Sequence, residues 1–543
     1  MTSQEEHKME QFHMDPSAEE TDKQSFNDRD QLARLGKKAV LRRNFGFMSI
    51  LGFSCTVLIT WEASLSLFAQ AYVNGGPAGA VYGFLFVWFG NICVFSCLSE
   101  LASMAPTSGG QYHWVAMLAP RSCSKFLSYI TGWLAVAGWQ GSLASALYLA
   151  GSIMAALIGL TNPDTYQPQP YQPMLLFWAS VVFCVVINAW VSSLLAKFEG
   201  FILILHIVGF FGILIPVVYL SPTKNSAEEV FTTFVSLTGW PDEGSNQGVA
   251  FFIGLMGNVF AFVGVDGAFH MAEEVYNPSV VVPQSTILSL LINGTLGFAM
   301  ILAALFCMGD PKVTLDPNGF PFMQIFLHAT GGDTGGSVVP ATVMSSVILV
   351  LGLCGTVGLF ASTSRVFWSF ARDRGLPFWR TLSEVNSATS IPLWSIGCTA
   401  IISILISLIT LGSTTAFTAL ISLSVSGLYS SYLICTILLL YRRVTKGFKL
   451  PDPSVLPALA PTEGLELVWG PWHIPGIWGT INNVVAICYL LIVWVFSFFP
   501  SQLPVTPQNM NYSSLMTGSV TVFAIVYYLV WAKREYRGPI VEL

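Results

Sequence analysis

Apolar runs of about 20 residues recur along this chain, and they constrain its fold more than any other feature. A helix rises 1.5 Å per residue, so about 20 residues cross a hydrocarbon core roughly 30 Å thick. Twelve such runs follow Phe45, at approximately 46–70, 78–102, 126–160, 174–195, 198–220, 249–271, 284–308, 338–368, 392–411, 414–441, 478–499 and 515–532. The expected class is an all-α integral membrane protein with twelve transmembrane helices. Composition agrees: 53% of the 543 residues are hydrophobic and 10% are charged, against roughly 25% charged in an ordinary soluble protein. A set of packed soluble domains is excluded. So is nucleic-acid binding, because the net charge is −6 and the basic residues are scattered.

The runs divide the chain. Residues 1–45 mix charges of both signs with Ser, Gln and Asn, and read as a disordered cytoplasmic tail. Residues 46–441 make a ten-helix core, 442–477 a cytoplasmic loop, 478–532 helices 11 and 12, and 533–543 a cytoplasmic C-terminal tail. No apolar segment follows Met1 that would serve as a cleavable signal. With the N-terminus in the cytoplasm, all of the 24 Lys and Arg except Lys224 and Lys312 fall on the inner side, as the positive-inside rule requires. Nearly all of the ten cysteines lie inside apolar runs, and none forms a CxxC pair. No disulfide framework, zinc site or other cofactor is expected.

Two runs are interrupted. The first carries Thr60, Trp61, Glu62 and Ala63, which puts a carboxylate inside an apolar helix. The sixth carries Gly264 and Gly267 around Asp266, after Phe260, Val263 and within reach of Val265. Glycine weakens a helix, and an ionisable group at membrane depth is costly and marks a functional site. The interruptions lie five runs apart. A unit with an odd number of spans inserts upside down in its second copy, so a five-plus-five inverted repeat is expected. In such folds the broken helices face each other near the midplane and bind substrate and coupling ion.

Three further segments carry a resemblance. Glu100 to Tyr112, with Pro106, Gly109 and Gly110, resembles the signature after the second helix of the amino acid–polyamine–organocation (APC) superfamily. Ala272 to Pro278, followed by Pro283, resembles its segment after helix 6, and Ser364 to Pro377 its segment after helix 8. Ser128 to Trp133 and Pro504 to Tyr512 resemble the fungal amino acid/choline branch, which includes γ-aminobutyrate and choline permeases.

The resemblance implies roles. Thr60 to Ala63 take the place of the unwound part of helix 1, where relatives hold the substrate carboxylate on backbone groups. Glu62 departs from the neutral residue expected there, and reads as a partner for a substrate cation, a proton carrier, or a helix-holding carboxyl. Phe260 matches an aromatic that closes over substrate, beside Val263, Gly264 and Val265. Trp139 in the third run is placed to stack on an ammonium group. Asp266 matches an acidic position in some exchangers; it reads as a coupling residue or as a cap on the broken helix. His206, eight residues into the fifth run, lies near the membrane centre and matches a lysine of proton-coupled relatives. Histidine suits a proton cycle. His270 is expected at the inner interface, His113 in a cytoplasmic segment, and Glu273 and Glu274 as gate or scaffold.

The function these readings imply is secondary active transport. The substrate is a small zwitterionic or cationic solute, an amino acid, γ-aminobutyrate or choline, taken up with a proton across the plasma membrane or an internal one. Membrane lipid surrounds the protein. A nutrient sensor that keeps the fold, and an uncoupled exchanger, stay open as alternatives. No P-loop or HExxH motif points to ATP drive or to an enzyme.

Overall fold

The computed structural model describes residues 32–33, 35–166, 169–191, 195–241, 247–316, 319–411, 416–445, 447–450, 467–507 and 509–542. The described chain is nearly all helix. Its β structure consists of one parallel pair, Phe448–Lys449 with Leu467–Val468, and an isolated bridge between Phe45 and Val275.

Fifteen helices organise the description: α1 (Phe47–Leu58), α2 (Thr60–Ser66), α3 (Gly76–Met104), α4 (Gln111–Leu118), α5 (Ser124–Thr161), α6 (Tyr171–Trp190), α7 (Leu195–Leu220), α8 (Gln247–Phe260), α9 (Gly267–His270), α10 (Pro278–Cys307), α11 (Val339–Arg372), α12 (Leu393–Ser407), α13 (Ala416–Val444), α14 (Gly476–Phe496) and α15 (Ser513–Tyr527). Several open on proline, as α3, α10 and α11 do. At a first turn the missing N–H costs nothing.

Counting α1 and α2 as one crossing, ten helical segments among the described residues are long and apolar enough to span a membrane. The sixth and ninth expected runs carry shorter apolar helices, α8 and α12. The reasons differ. The sixth run stops being helical at Phe260 and passes through turns to Asp266. The ninth ends its α-helix at Ser407 and continues as the tighter turn Leu408–Leu411.

Close crossings hold the bundle. A Cβ on Gly427 of α13 would lie 3.0 Å from the Leu134 carbonyl and 3.1 Å from Gly138 Cα of α5. Small residues let helix backbones approach where lipid supplies no hydrophobic drive.

Residues 35–45 belong to the folded body rather than to a loose tail. Leu35, Lys37 and Phe45 are buried. The Asn44 and Phe45 N–H groups donate to the Glu274 carbonyl, and the Glu542 N–H donates to the Gly36 carbonyl at 2.7 Å. The segment thus lies, with the C-terminal stretch, across what we term the terminal face. Residues 1–31 and 34 of the expected tail, and residues 446 and 451–466 of the expected loop, lie outside the described residues.

Candidate functional site

The first break is set by Ile59. It sits in the left-handed region, with φ 36 and ψ 45, between α1 and α2. A β-branched residue rarely adopts this conformation, so neighbours must hold it there. The Thr60 N–H, lost to the helix ladder, donates to Asn293 Oδ1 of α10 at 3.2 Å. On the other side the Thr56 carbonyl faces Gly355 of α11, where a Cβ would come within 2.8 Å.

The second break is set by glycine. Gly264 has φ 106, which L side chains avoid. A Cβ there would lie 3.0 Å from Val57 Cγ1 and 3.5 Å from the Val57 carbonyl. The two broken segments therefore touch, and α11 backs the first through Gly355 and Gly358 and the second through Leu359 and Ser362.

Beside this contact lies a cavity. Val57, Leu58, Ile59, Glu62 and Ala63 line it from the first span, and Phe260 and Val263 from the sixth. Ser142 and Ala146 of α5, with Gly352 and Leu359 of α11, complete much of the wall. Glu62 is the one ionisable group in a lining that is otherwise almost wholly apolar. Its Oε1 pairs with His206 Nδ1 of α7 at 2.7 Å, and its Oε2 has no hydrogen-bond partner. A buried polar atom left unpaired is costly, so this oxygen is poised for a donor from the cavity. Trp61 turns the other way and packs its ring on His206 and Phe210.

Asp266 stands apart from Glu62. Its Oδ2 accepts from Gln111 Nε2 at 2.8 Å and from Trp139 Nε1 at 3.1 Å, and lies 3.4 Å from His270 Nε2. It occupies the N-cap position of α9 but makes no capping bond there, so the cap reading is not realised. Trp139 does not line the cavity; its indole N–H is committed to Asp266. Thr60, Trp61, Gly264 and Val265 shape the breaks without facing the cavity. His270, expected at the interface, is fully buried, because the turn at Ser108 to Gly110 covers it and accepts its Nδ1 bond.

Sequence reasoning passed over Glu199. It lies seven residues before His206 on α7 and is 0% exposed. It bonds Thr56 Oγ1 of α1 through Oε2 and leaves Oε1 unpartnered beside Gly358. A lone acid in an apolar run was its signal, masked by Lys197 two residues earlier, which marks the membrane edge. Asn293, Ser142 and Gln111 were also unforeseen, since a single amide or hydroxyl carries little weight in a helix.

The terminal face is closed by ion pairs. Arg372 holds Glu273 through two bonds of 3.0 and 2.7 Å, and Arg365 holds Glu274 at 2.8 Å. Lys37 pairs with Asp373, which also accepts from Tyr112 Oη and from the Ile540 N–H, each at 2.8 Å. Burial alone would raise the Asp373 carboxyl, but Lys37 and Arg372 outweigh it and hold it below the usual range. Glu273 behaves alike, with Arg372 and the Ser108 N–H overcoming burial. Glu273 and Glu274 are thus both held in ion pairs with arginines of α11, and among the described residues no His, Cys, Asp and Glu group has the form of a metal site.

The amino acid permease family profile matches residues 45–522. The chain is 30% identical over 500 residues to the choline transporter of Saccharomyces cerevisiae, covering 92% of this chain and 83% of that protein. It is 27% identical over 512 residues to amino-acid permease 2 of Neurospora crassa, covering 94% and 88%. It is 26% identical over 529 residues to the GABA-specific permease of Saccharomyces cerevisiae, covering 96% and 87%.

Proposed function

The chain belongs to the amino acid permease family, and from that premise we propose that it takes up amino acids, or related small nitrogen compounds such as γ-aminobutyrate or choline, together with a proton. It is an integral, multi-pass membrane protein and a transporter rather than an enzyme. The observation that carries the substrate reading is the unpartnered Glu62 Oε2 in an apolar cavity beside two touching helix breaks. A cationic nitrogen there would satisfy the oxygen and be desolvated with it. The relatives named for choline and GABA agree with that chemistry.

In this reading the chain crosses the plasma membrane twelve times with both termini in the cytoplasm, α8 with α9 and α12 with Leu408–Leu411 supplying the two short crossings. Its first ten spans form two inverted five-helix repeats. The ion pairs of the terminal face are the inner gate, which must part to release substrate. Proton coupling falls to His206 and Asp266, with Glu199 as a third buried titratable group, on α7 and bonded to Thr56 of the moving half-helix α1. Coupling requires that such a group meet different surroundings in the two access states, since one fixed proton affinity transmits nothing.

The test is uptake into proteoliposomes of purified protein with an imposed pH gradient, offering radiolabelled amino acids, γ-aminobutyrate and choline. Accumulation of at least one, driven by outside acid and abolished by a proton ionophore, is expected. Transport confined to sugars or inorganic anions refutes the class. Accumulation indifferent to the gradient refutes the coupling.

A further inference from the structure

A second cavity lies away from the transport site. It is a groove of ≈ 570 Å³ between α5, α12, α13 and α15. Trp133, Val136 and Ala137 form one wall, Cys398, Ile402 and Ile406 a second, and Val520 and Phe523 a third. Cys398, Ile402 and Ile406 follow at four-residue steps, so the groove runs about 12 Å along one helix face. Apart from Gln140 and Ser519 its lining is apolar. Water would find almost no partners in it, whereas a hydrocarbon chain fits its chemistry.

The end toward the terminal face is different. There Leu376, Pro377, Phe378 and Leu382 close the groove. Phe378 holds a left-handed backbone, φ 56, and is 84% exposed at the mouth. The same short segment brings two cations together: the guanidinium carbons of Arg374 and Arg380 lie 4.8 and 5.3 Å from the Trp379 ring centroid. Neither makes an ion pair among the described residues, although Arg365 and Arg372 just before them on α11 are fully paired. At the start of α5, Lys125 Nζ donates to the carbonyl of Lys533, beyond the end of α15, at 2.5 Å. The rim is therefore cationic and aromatic, and the interior is dry.

We propose that this groove is a binding site for an acidic phospholipid, with one acyl chain along α12 and the phosphate held by Arg374 and Arg380. The charge on the rim selects the headgroup, since each Lys or Arg near a membrane surface favours an acidic lipid. The apolar walls retain the chain. The site is separate from the cavity that holds Glu62, so it stands or falls independently of which solute is carried.

Native mass spectrometry of the delipidated full chain tests this. The probes are phosphatidylserine, phosphatidylcholine of the same acyl chains, soluble glycerophosphoserine and a sterol. One phosphatidylserine should be retained roughly tenfold to thirtyfold more tightly than phosphatidylcholine, as two surface cations supply. Arg374→Gln with Arg380→Gln should abolish that preference while leaving weak binding of both lipids. Ala137→Phe, which fills the groove and keeps both arginines, should weaken both lipids; Val520→Phe on the opposite wall is the second variant should the first misfold. Four results would each overturn the proposal. These are equal binding of the two lipids, a preference that survives loss of both arginines, competition by glycerophosphoserine as strong as by the lipid, and displacement by the sterol.

Discussion

Glu62→Gln removes one charge and almost no volume, and it isolates the role assigned to the cavity-facing oxygen. Glu62 is 1% exposed, so no water stands ready to replace what the carboxylate offers. A hydrogen bond to a charged group is worth about 1.5–3 kcal/mol, and 1.4 kcal/mol is tenfold in an equilibrium constant. Losing the carboxylate from contact with a substrate cation should therefore raise KM about 10- to 150-fold. Folding should survive. Gln presents an amide to His206 Nδ1, now 2.7 Å from Oε1, and the imidazole can change tautomer to meet it. The assay is initial uptake rate against concentration in cells lacking their own carriers, with surface protein quantified. γ-Aminobutyrate is the sharper substrate, because its primary ammonium carries the N–H donors that the trimethylammonium of choline lacks. A γ-aminobutyrate KM changed less than threefold at normal surface level refutes the reasoning. So does a fall in maximal rate with KM untouched, which would make Glu62 a moving part rather than a binding one.

His206→Ala and Asp266→Asn should lose pH-driven accumulation and keep substrate exchange without a gradient; if both accumulate normally, the proton passes elsewhere, and Glu199→Gln is the next variant to measure. Ala227→Cys, exposed on the face opposite the termini, should react with an impermeant thiol reagent on intact cells, and labelling only after permeabilisation would invert the topology. Burial, then Lys37, lowers the His113 imidazole to about 4, against about 6.5 when unfolded. The unfolded chain thus binds the extra proton between those values, so this stability is intact above pH 6.5 and falls as pH drops toward 4, by up to about 3 kcal/mol. Thermal unfolding in detergent across that window should show the decline, and His113→Gln should flatten it; an unchanged slope would mean that His113 is not the acid-sensitive group.

The features legible in the sequence were those whose cause is local. Gly264 announces its break, because glycine is the residue that takes φ 106 without penalty. Glu62 announces itself because an ionisable group at membrane depth is costly. What escaped is set by partners far along the chain. Ile59 carries no sign of its left-handed turn; the turn persists because Asn293, 233 residues away in sequence separation from Thr60, takes up the freed N–H. Lys37 looked like part of a solvated tail by composition, yet Asp373 lies 336 residues later and draws it into the body. Trp139 was assigned to the cavity because its span was right, but helix periodicity alone does not say which face meets which neighbour, and its N–H went to Asp266. Glu199 is the sharpest case. Two residues after Lys197 it reads as the membrane edge. Its burial depends on Gly52 and Gly358, whose missing side chains let α1 and α11 close over it. Glycines that permit an approach leave no mark on the residue being approached, so a buried carboxylate made by three converging helices stays invisible until those helices are packed together.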